Sequence, residues 1–213
     1  MDKIILIGAG GHAKSVVDTI ERNGIFEIAG FLDNGEVGQK VYRTYQIIGH
    51  DEELPDLFQD GIRYAFVCVG FMGNSDVRKR LYDTLKSIGY KLPVIVDDSA
   101  VVAADVRIGE GTYIGKNAVL NAEASVGKMC IINTSAVADH ETVVEDFSHI
   151  AVGTVLCGRV RVGANTLVGA NATIIQNVEI GTDIVIGAGS VVLNDIPSAC
   201  TAAGIPARVV KRR

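Results

Sequence analysis

The second half of the chain carries an aliphatic residue at every sixth position. Counting in sixes from Val96 to Val192 gives seventeen positions, of which sixteen are Ile, Leu or Val, and the exception is Ala138. An α-helix repeats its faces about every 3.6 residues and a flat strand about every two, so neither keeps such a period on one side. A parallel β-helix does, because each hexad forms one side of a three-sided coil and the aliphatic residues stack inside it. The repeat therefore predicts a left-handed parallel β-helix.

Two further positions of the hexads agree with this fold. The fourth residue after an aliphatic position is mostly small or β-branched, as at Thr112, Ala118, Ala124, Ala136, Ser148, Thr154 and Ala172. The turns of the coil must tolerate positive φ, and residues suited to this share one phase of the hexad: Gly111, Asn117, Gly153, Asn165, Asn171, Asn177, Asp183 and Gly189. Because the phase never slips, we expect no large loop to leave the coil, and functional side chains to stand on its outer faces.

The first part of the chain has the pattern of a small α/β domain. Lys3 to Ile7 reads as a strand, Gly8-Ala9-Gly10-Gly11-His12-Ala13 as a glycine turn and helix start, and a second strand ends at Asp33. In a Gly-x-Gly-x-x-Ala turn, backbone N–H groups at the helix start face a phosphate, and a downstream acid meets a ribose hydroxyl. A tight turn without a ligand is the alternative.

The rest of this part supplies a third strand and another helix. Tyr64 to Val69 reads as a buried strand, and Leu92 to Val96 as another. Between them Val77, Leu81, Leu85 and Ile88 form the apolar stripe of a helix. This Rossmann-like β-α-β core is too short for the two halves of a dinucleotide-binding domain, so a nucleotide sugar fits better than NAD. We predict a nucleotide-sugar-binding domain over residues 1–95 and an all-β domain with a C-terminal tail over residues 96–213.

Composition argues against several kinds of partner. The net charge is −5 and the only basic cluster is Lys211-Arg212-Arg213, so we expect no nucleic-acid binding. The apolar runs are far shorter than the ~20 residues of a membrane span, and no secretory signal pattern opens the sequence, so we expect no membrane association. Four cysteines lie far apart without a C-x-x-C pair, which indicates a reduced, cytoplasmic protein.

The candidate chemistry lies in a polar stretch of the repeat, residues 133–149. It holds two of the four histidines, His140 and His149. Histidine can take a proton from an amine or hydroxyl near neutral pH, and a neighbouring carboxylate, Asp139 or Glu141, can fix its tautomer. We predict His140 as a catalytic base, with a solvent-facing structural role as the alternative. His149 is predicted to act at the acyl donor or to pack in an interface. Nine residues are half a coil, so the two histidines would converge only between subunits.

Other polar residues receive weaker assignments. His12 in the glycine turn is expected to face a ligand, whereas His50 has no supporting context and is expected at the surface. Cys157 could carry an acyl group on sulfur, but nothing in the sequence favours its thiolate, so a structural role is preferred. His140 and His149 lack a third clustered ligand, so we expect no metal.

Six motifs carry a family resemblance over essentially the whole chain: Gly8-Ala9-Gly10-Gly11-His12, Phe31-Leu32-Asp33-Asn34, Asn133-Thr134-Ser135, Asp139-His140-Glu141, residues 147–153 and Gly204-Ile205-Pro206-Ala207. With these the chain resembles the bacterial nucleotide-sugar N-acetyltransferases and sialic acid O-acetyltransferases of the left-handed β-helix (hexapeptide-repeat) class. It is most similar to the UDP-4-amino-sugar enzymes of the bacillosamine pathway.

The resemblance implies acetyl transfer from acetyl-CoA to the C4 amine of a UDP-linked 4-amino-4,6-dideoxy sugar, with no metal. It implies that His140 is the base and Glu141 its partner. The implied substrate-binding residues are Gly8, Gly10, Gly11, His12, Asp33, Asn34 and Asn133. The implied acetyl-CoA-binding residues are His149, Gly158, Ala170, Ala188, Gly204 and Pro206.

One departure from the family keeps alternatives open. The turn after the third strand, Gly70-Phe71-Met72-Gly73-Asn74, is two residues longer than usual in the family and could border the nucleotide. A GDP-linked amino sugar such as perosamine is therefore an alternative, as is O-acetylation of sialic acid or a related sugar. A trimeric binding or scaffold protein is the non-enzyme alternative, and an NAD-linked enzyme is the most distant. Because flat parallel faces would be buried by packing between subunits, we predict a homotrimer.

Overall fold

A computed structural model describes residues 1–71 and 73–212 of the chain. The chain divides into two compact units. The first contains Met1–Gly70 and Asp76–Ile95, and the second contains Phe71–Ser75 and Val96–Arg213. The segment Phe71–Ser75 therefore belongs to the second unit, although its sequence neighbours on both sides belong to the first.

The first unit is a five-stranded sheet with three α-helices. Its elements are β1 (Asp2–Ile7), α1 (Gly11–Asn23), β2 (Phe26–Leu32), β3 (Lys40–Tyr42), β4 (Tyr45–Gly49), a 3₁₀ turn (Asp51–Glu53), α2 (Leu54–Gln59), β5 (Tyr64–Val67) and α3 (Asp76–Ile88). The strand order is β3-β4-β2-β1-β5, with β1 parallel to both β2 and β5, and β3 antiparallel to β4.

Hydrophobic spacing explains most of this unit. Ala13, Val16, Val17 and Ile20 of α1 are buried, and the helix ends at Gly24 in the left-handed conformation. The apolar stripe predicted for α3 is only half right. Leu81 and Leu85 are buried, but Val77 is 49% exposed and Arg78 is buried instead. The helix therefore buries Arg78, which the predicted apolar stripe did not include, and exposes Val77, which it did.

The connections place the glycine turn at a reversal of strand order. From β1 the chain passes to β2 on one side and later to β5 on the other. In open parallel sheets, ligands bind beyond the carboxyl ends of the strands at such a switch point. The turn after β1 and Asp33 after β2 both lie at these carboxyl ends, so the fold brings the predicted substrate residues to the expected edge.

The second unit is a parallel β-helix built almost entirely of two-residue strands. They are β6 (Ile95–Val96), β7 (Val101–Val102), β8 (Arg107–Ile108), β9 (Tyr113–Ile114), β10 (Val119–Leu120), β11 (Ser125–Val126), β12 (Ile131–Ile132), β13 (Val137–Ala138), β14 (Val143–Val144), β15 (His149–Ile150), β16 (Val155–Leu156), β17 (Arg161–Val162), β18 (Leu167–Val168), β19 (Thr173–Ile174), β20 (Glu179–Ile180), β21 (Val185–Ile186), β22 (Val191–Val192), β23 (Cys200–Gly204) and β24 (Ala207–Arg212).

These strands form three sheets, which we name by a side chain on the outside of each. The valine face is β22-β19-β16-β13-β10-β7, the arginine face is β20-β17-β14-β11-β8, and the histidine face is β24-β23-β21-β18-β15-β12-β9-β6. All pairs are parallel except β23 with β24, which close the coil as an antiparallel hairpin. Strands three apart in sequence pair, so one coil takes three hexads, as predicted.

The second residue of each strand points into the coil. The aliphatic column is almost fully buried from Ile114 to Val192, whereas Val96, Val102 and Ile108 at the first coil are only partly buried. Every corner at the predicted turn phase, from residue 111 to residue 189, has positive φ. Six of these corners hold residues that the sequence did not mark as turn formers: Glu123, Met129, Ser135, Glu141, Phe147 and Arg159. The predicted fold class, a small α/β unit followed by a parallel β-helix, is confirmed.

None of the described helices combines the length and the apolar character needed to cross a lipid bilayer.

Candidate functional site

His140 lies at a corner of the coil, just after β13 of the valine face. Its imidazole is half-exposed, and Nδ1 is 3.0 Å from Oε2 of Glu141. An ionised carboxylate can only accept a hydrogen bond, so Nδ1 carries the hydrogen in the neutral ring. The lone pair is then on Nε2, which is the state that a general base requires.

Glu141 is itself held by a residue one coil further along. Its Oε2 also accepts a hydrogen bond from Nε of Arg159 at 2.9 Å. Both residues occupy left-handed corners, with φ of 59° for Glu141 and 61° for Arg159, so the coil stacks them directly. Arg159, and after it His140, lower the pKa of Glu141 below its ordinary value. The carboxylate therefore stays ionised beside the ring.

The other candidate carboxylate is engaged elsewhere. Oδ1 of Asp139 accepts a hydrogen bond from Nδ2 of Asn121 at 2.8 Å. This bond, followed by one from the backbone N–H of His140, lowers the pKa of Asp139. Of the two acids that the sequence offered as partners of the imidazole, Glu141 is the one that binds it.

Gly158 lies against the imidazole of His140. A Cβ atom built on Gly158 would be 2.4 Å from Nε2 and 2.5 Å from Cε1 of His140. A side chain at position 158 would displace the ring, so the ring packs on bare backbone here. The family resemblance assigned Gly158 to acetyl-CoA, and the structure places it beside Nε2 of His140.

His149 and Asn133 meet on the histidine face. Nε2 of His149 is 3.3 Å from Nδ2 of Asn133, and Nδ1 of His149 is 3.0 Å from the carbonyl oxygen of Phe71. Oδ1 of Asn133 accepts the N–H of Thr134 at 2.8 Å. A predicted sugar-binding residue and a predicted acetyl-CoA-binding residue are thus neighbours. The sequence places Phe71 in a turn that could border the nucleotide and does not predict its contact with His149.

The longer turn after the third strand contributes this contact. Phe71 is 1% exposed, and its ring meets the imidazole of His149 edge-on with 6.5 Å between ring centroids. Met72, also part of the turn that was predicted to border the nucleotide, lies outside the described residues.

The remaining predicted acetyl-CoA residues lie at other places on the coil. Ala170 and Ala188 stack at corners that follow strands of the histidine face, with the N–H of Gly189 donating to the carbonyl of Ala170 at 2.8 Å. Gly204 ends β23, and Pro206 lies in the turn before β24. His140 and Gly158 follow strands of the valine face. Within one chain the two groups therefore occupy different corners.

In the first unit, Asp33 braces the glycine turn. Its Oδ2 accepts the N–H of Ala9 at 2.7 Å and its Oδ1 accepts the N–H of Gly35 at 3.1 Å. A cavity of about 460 Å³ beside it is lined by Gly10, Gly11 and Asp33, with Lys14 and Lys40 as its cations. This volume is in the range of small-ligand sites. Asp33 orders the turn whether or not it also meets a ribose.

Gly8 and Asn34 line a second, smaller cavity of about 60 Å³, which Asp33 also lines, together with Asp51 and Arg80. His12 is the second residue of α1 and is half-buried.

His50 was expected at the surface without a role, and this expectation is wrong. It is half-buried, and its Nδ1 donates to the carbonyl oxygen of Asp33 at 2.7 Å. Its backbone N–H donates to Oε2 of Glu53 at 2.6 Å, which fixes the start of the 3₁₀ turn. His50 therefore holds the end of β2 in place.

Among residues 1–71 and 73–212, no three His, Cys, Asp or Glu side chains cluster in a way that could hold a metal ion.

Two family models match the chain. The model described as the PglD N-terminal domain matches residues 3–85, and the model described as bacterial transferase hexapeptide (six repeats) matches residues 159–194.

Solved structures match it over nearly its whole length. Perosamine N-acetyltransferase from Caulobacter crescentus, in complex with CoA and GDP-perosamine, is 32% identical with a TM-score of 0.91, covering 98% of this chain and 97% of that one. The acetyltransferase domain of PglB from Neisseria gonorrhoeae, in complex with acetyl coenzyme A, gives 32% identity and a TM-score of 0.91, covering 98% of each chain. WeeI from Acinetobacter baumannii is 22% identical with a TM-score of 0.79, covering 99% of this chain and all of that one, which shows the shared fold.

A curated relative, the uncharacterized protein L142 of Acanthamoeba polyphaga mimivirus, is 54% identical over 46 residues. That match covers 22% of this chain and 9% of the viral protein.

Proposed function

The chain belongs to the bacterial sugar N-acetyltransferases of the left-handed β-helix class, and we propose that it acetylates the C4 amine of a nucleotide-linked 4-amino-4,6-dideoxy sugar. It is an acetyl-CoA-dependent sugar acetyltransferase, with acetyl-CoA as co-substrate. The particular sugar and nucleobase, the role of His140 and the trimeric state are parts of the proposal. The domain boundaries at residues 95 and 96 and the cytoplasmic location stay predictions.

The observation that carries the proposal is the environment of the His140 ring. Glu141 engages Nδ1 at 3.0 Å, and Gly158 leaves room for Nε2. This arrangement leaves Nε2 unprotonated on a half-exposed side chain, which is what a base for an acceptor amine requires.

In the proposed reaction, Nε2 of His140 accepts a proton from the amine as the nitrogen attacks the thioester carbonyl. The C–N bond forms and the carbonyl oxygen becomes an oxyanion, for which one backbone N–H donor is worth about 2.7–4 kcal/mol. The intermediate then collapses, the C–S bond breaks, and the imidazolium returns its proton to the departing thiolate of CoA. Glu141 stabilises the imidazolium between the two steps.

A hydroxyl acceptor is the alternative within the same site. A hydroxyl needs base catalysis more than an amine does, so the His140–Glu141 pair also suits O-acetylation of sialic acid or a related sugar. The similarity to perosamine N-acetyltransferase favours the amine.

One observation favours GDP over UDP as the carrier. Asp51 and Arg80 both line the smaller cavity of the first unit and form an ion pair there, with Arg80 Nη2 3.6 Å from Asp51 Oδ2. A carboxylate accepts from both N–H groups of guanine, and a guanidinium donates to its carbonyl oxygen. The edge of uracil would instead place an oxygen against the carboxylate. The sequence resemblance favoured UDP whereas this pair favours GDP, so UDP- and GDP-linked amino sugars, GDP-perosamine among them, are both candidates.

The homotrimer is supported by the outer surface of the valine face. The first residues of its strands point outward and form one paired column: Val101, Val119, Val137, Val155, Thr173 and Val191. A column of β-branched apolar side chains about 4.8 Å apart is costly to leave in water. The matching positions of the arginine face include the exposed Arg107, Arg161 and Glu179. We therefore propose the valine face as the surface that meets a second copy.

Replacing His140 tests the proposal. We expect His140→Ala to lower kcat at least about 100-fold, within the range of a general base, and to leave CoA binding in calorimetry and the unfolding midpoint unchanged. Glu141→Gln should lower kcat by a smaller factor, because it leaves Nε2 in place. An unchanged kcat in His140→Ala would remove this residue from the mechanism.

A further inference from the structure

The imidazole of His149 is held on both nitrogens by groups whose hydrogen-bonding roles are fixed. On one side is the carbonyl oxygen of Phe71, 3.0 Å from Nδ1, and on the other is the side-chain amide of Asn133, with Nδ2 3.3 Å from Nε2. A backbone carbonyl only accepts a hydrogen bond. The hydrogen of the neutral ring must therefore be on Nδ1.

The orientation of the Asn133 amide is also fixed. Its Oδ1 accepts the N–H of Thr134 at 2.8 Å, which a flipped amide could not do. Nδ2 therefore faces His149 and donates to Nε2, which is unprotonated in the Nδ1–H tautomer. Both ends of the chain of contacts, the Phe71 carbonyl and the Thr134 N–H, lead to the same assignment.

From these contacts we infer that Phe71 and Asn133 hold His149 as the neutral Nδ1–H tautomer, in which it orients the Asn133 amide and does not act as an acid. Phe71 is then a positioning residue. His149 is a hydrogen-bond acceptor whose lone pair is engaged within the protein. The link from this assignment to catalysis rests on the proposed function, because it takes Asn133 to be a substrate-binding residue.

The segment that supplies the carbonyl is anchored at both ends. Phe71 is 1% exposed and Ser75 is 4% exposed. Oγ of Ser75 donates to Oδ1 of Asn165, 2.7 Å away, at a left-handed corner of the coil. Because Phe71–Ser75 belongs to the β-helix unit, the carbonyl and the imidazole are part of one compact body.

The assignment has a consequence for the ligand. The contacts use one lone pair and one N–H of the Asn133 amide, and its second N–H can donate to a ligand. The atom of the ligand that meets this N–H is then an acceptor, such as a sugar hydroxyl oxygen or the carbonyl oxygen of the thioester, and not a protonated amine.

The test is the tautomeric state of His149 in the full-length protein, measured by the ¹⁵N shifts of the imidazole at neutral pH. The signal is assigned by its loss in His149→Gln. We expect the wild type to show Nδ1 protonated and Nε2 unprotonated. A protonated Nε2 in the wild type would overturn the inference.

In the variant Asn133→Asp we expect a charged imidazole at His149, in contrast to the neutral ring expected in the wild type. A carboxylate at position 133 accepts only, and Phe71 keeps the hydrogen on Nδ1, so His149 should take up a second proton and become imidazolium. Asn177→Asp makes the same change at an exposed corner and should leave the His149 shifts unchanged. A ring that stays neutral in Asn133→Asp would contradict the assignment.

The role of the segment is tested by Ser75→Ala and Phe71→Ala, which loosen its anchors. We expect both tautomers of His149 to be populated and kcat to fall several-fold, with the shifts of His140 unchanged. Unaltered His149 shifts in both variants would show that the segment does not position the ring. These spectra do not depend on turnover, so absence of acetyl transfer by the wild type would reject the proposed function separately.

Discussion

The imidazole of His140 is fixed by the next residue in the chain and by residues of the following coil. Glu141 holds Nδ1 through its side chain at a left-handed corner, and Gly158, one coil further along, forms the surface beneath the ring. Arg159 in turn holds Glu141. The geometry of the ring is therefore set by two consecutive coils, and each supporting residue can be tested separately.

Gly158→Ala should displace Nε2 of His140, the nitrogen that we propose as the base. The new Cβ would lie 2.4 Å from Nε2 of His140, so the ring must move, and a misplacement of about 1 Å costs about 100-fold in rate. We expect kcat to fall by about that factor while the fold is kept.

A double-mutant cycle identifies the route of this effect. If Gly158 acts through the ring, Gly158→Ala should have no further effect on kcat in a His140→Ala background. Additive losses in the double variant would mean that Gly158 contributes independently of His140.

Arg159→Gln should change the titration of Glu141. The guanidinium is the largest cause of the lowered pKa of Glu141, so its removal should raise the pH at which this carboxylate takes up a proton. As the pH falls, the Glu141 carboxylate of the wild type therefore keeps its negative charge to a lower pH than an ordinary glutamate does. In Arg159→Gln it should be protonated at a higher pH than in the wild type. The ¹³C shift of the Glu141 carboxyl measures this midpoint.

Two variants serve as comparisons for that titration. Arg161→Gln removes an exposed arginine two residues away and should leave the midpoint of Glu141 unchanged. His140→Ala should raise it less than Arg159→Gln does, because His140 is the smaller cause. A larger rise in His140→Ala would mean that the imidazole, and not the guanidinium of Arg159, is the main cause of the lowered pKa.

At the scale of elements, the hexad repeat makes most of the second unit predictable. The aliphatic column, the small residues and the Gly, Asn and Asp corners each have one physical role, and the structure places them as expected. The corners at Glu141 and Arg159 were not predicted, because neither residue type favours positive φ. A count of eighteen from His140 and Glu141 would have found Gly158 and Arg159, since residues one coil apart stack.

Other contacts had no signal in the sequence. Phe71 reaches His149 from a segment 78 positions earlier, and His50 reaches Asp33 through a folded turn. Neither contact follows from a period or a motif. The burial of Arg78 in place of Val77 likewise depends on how α3 packs and not on the spacing of its apolar residues.

The apolar outer surface of the valine face leads us to predict that the chain assembles as a homotrimer. We expect sedimentation to give three times the 22.5 kDa of one chain. Val119→Glu should break this assembly, because Val119 points outward in the middle of the column and a charge there would be buried at the contact. Ser125→Glu, at the equivalent strand position of the arginine face, is the matched control and should stay trimeric.

Two other outcomes are informative. A trimer that survives Val119→Glu would place the contact on another face, and a monomeric wild type would contradict the predicted homotrimer.

At the scale of the whole molecule, we propose that each of the two units supplies part of the site. The first offers two cavities lined by Asp33 at the carboxyl ends of its strands, and the second offers the supported His140 and the fixed His149–Asn133 pair. The fold and the family were predictable from the repeat and the motifs. The nucleobase was not, because Asp51 and Arg80, which we propose to favour guanine, lie in no motif.

The most direct test of the proposed activity is release of CoA thiol from acetyl-CoA with a panel of acceptors: UDP- and GDP-linked 4-amino-4,6-dideoxy sugars and free sialic acid. We predict rapid turnover with a nucleotide-linked amine, and the Asp51–Arg80 pair favours the GDP form over the UDP form. Turnover with sialic acid alone, or with none of the acceptors, would contradict the proposal.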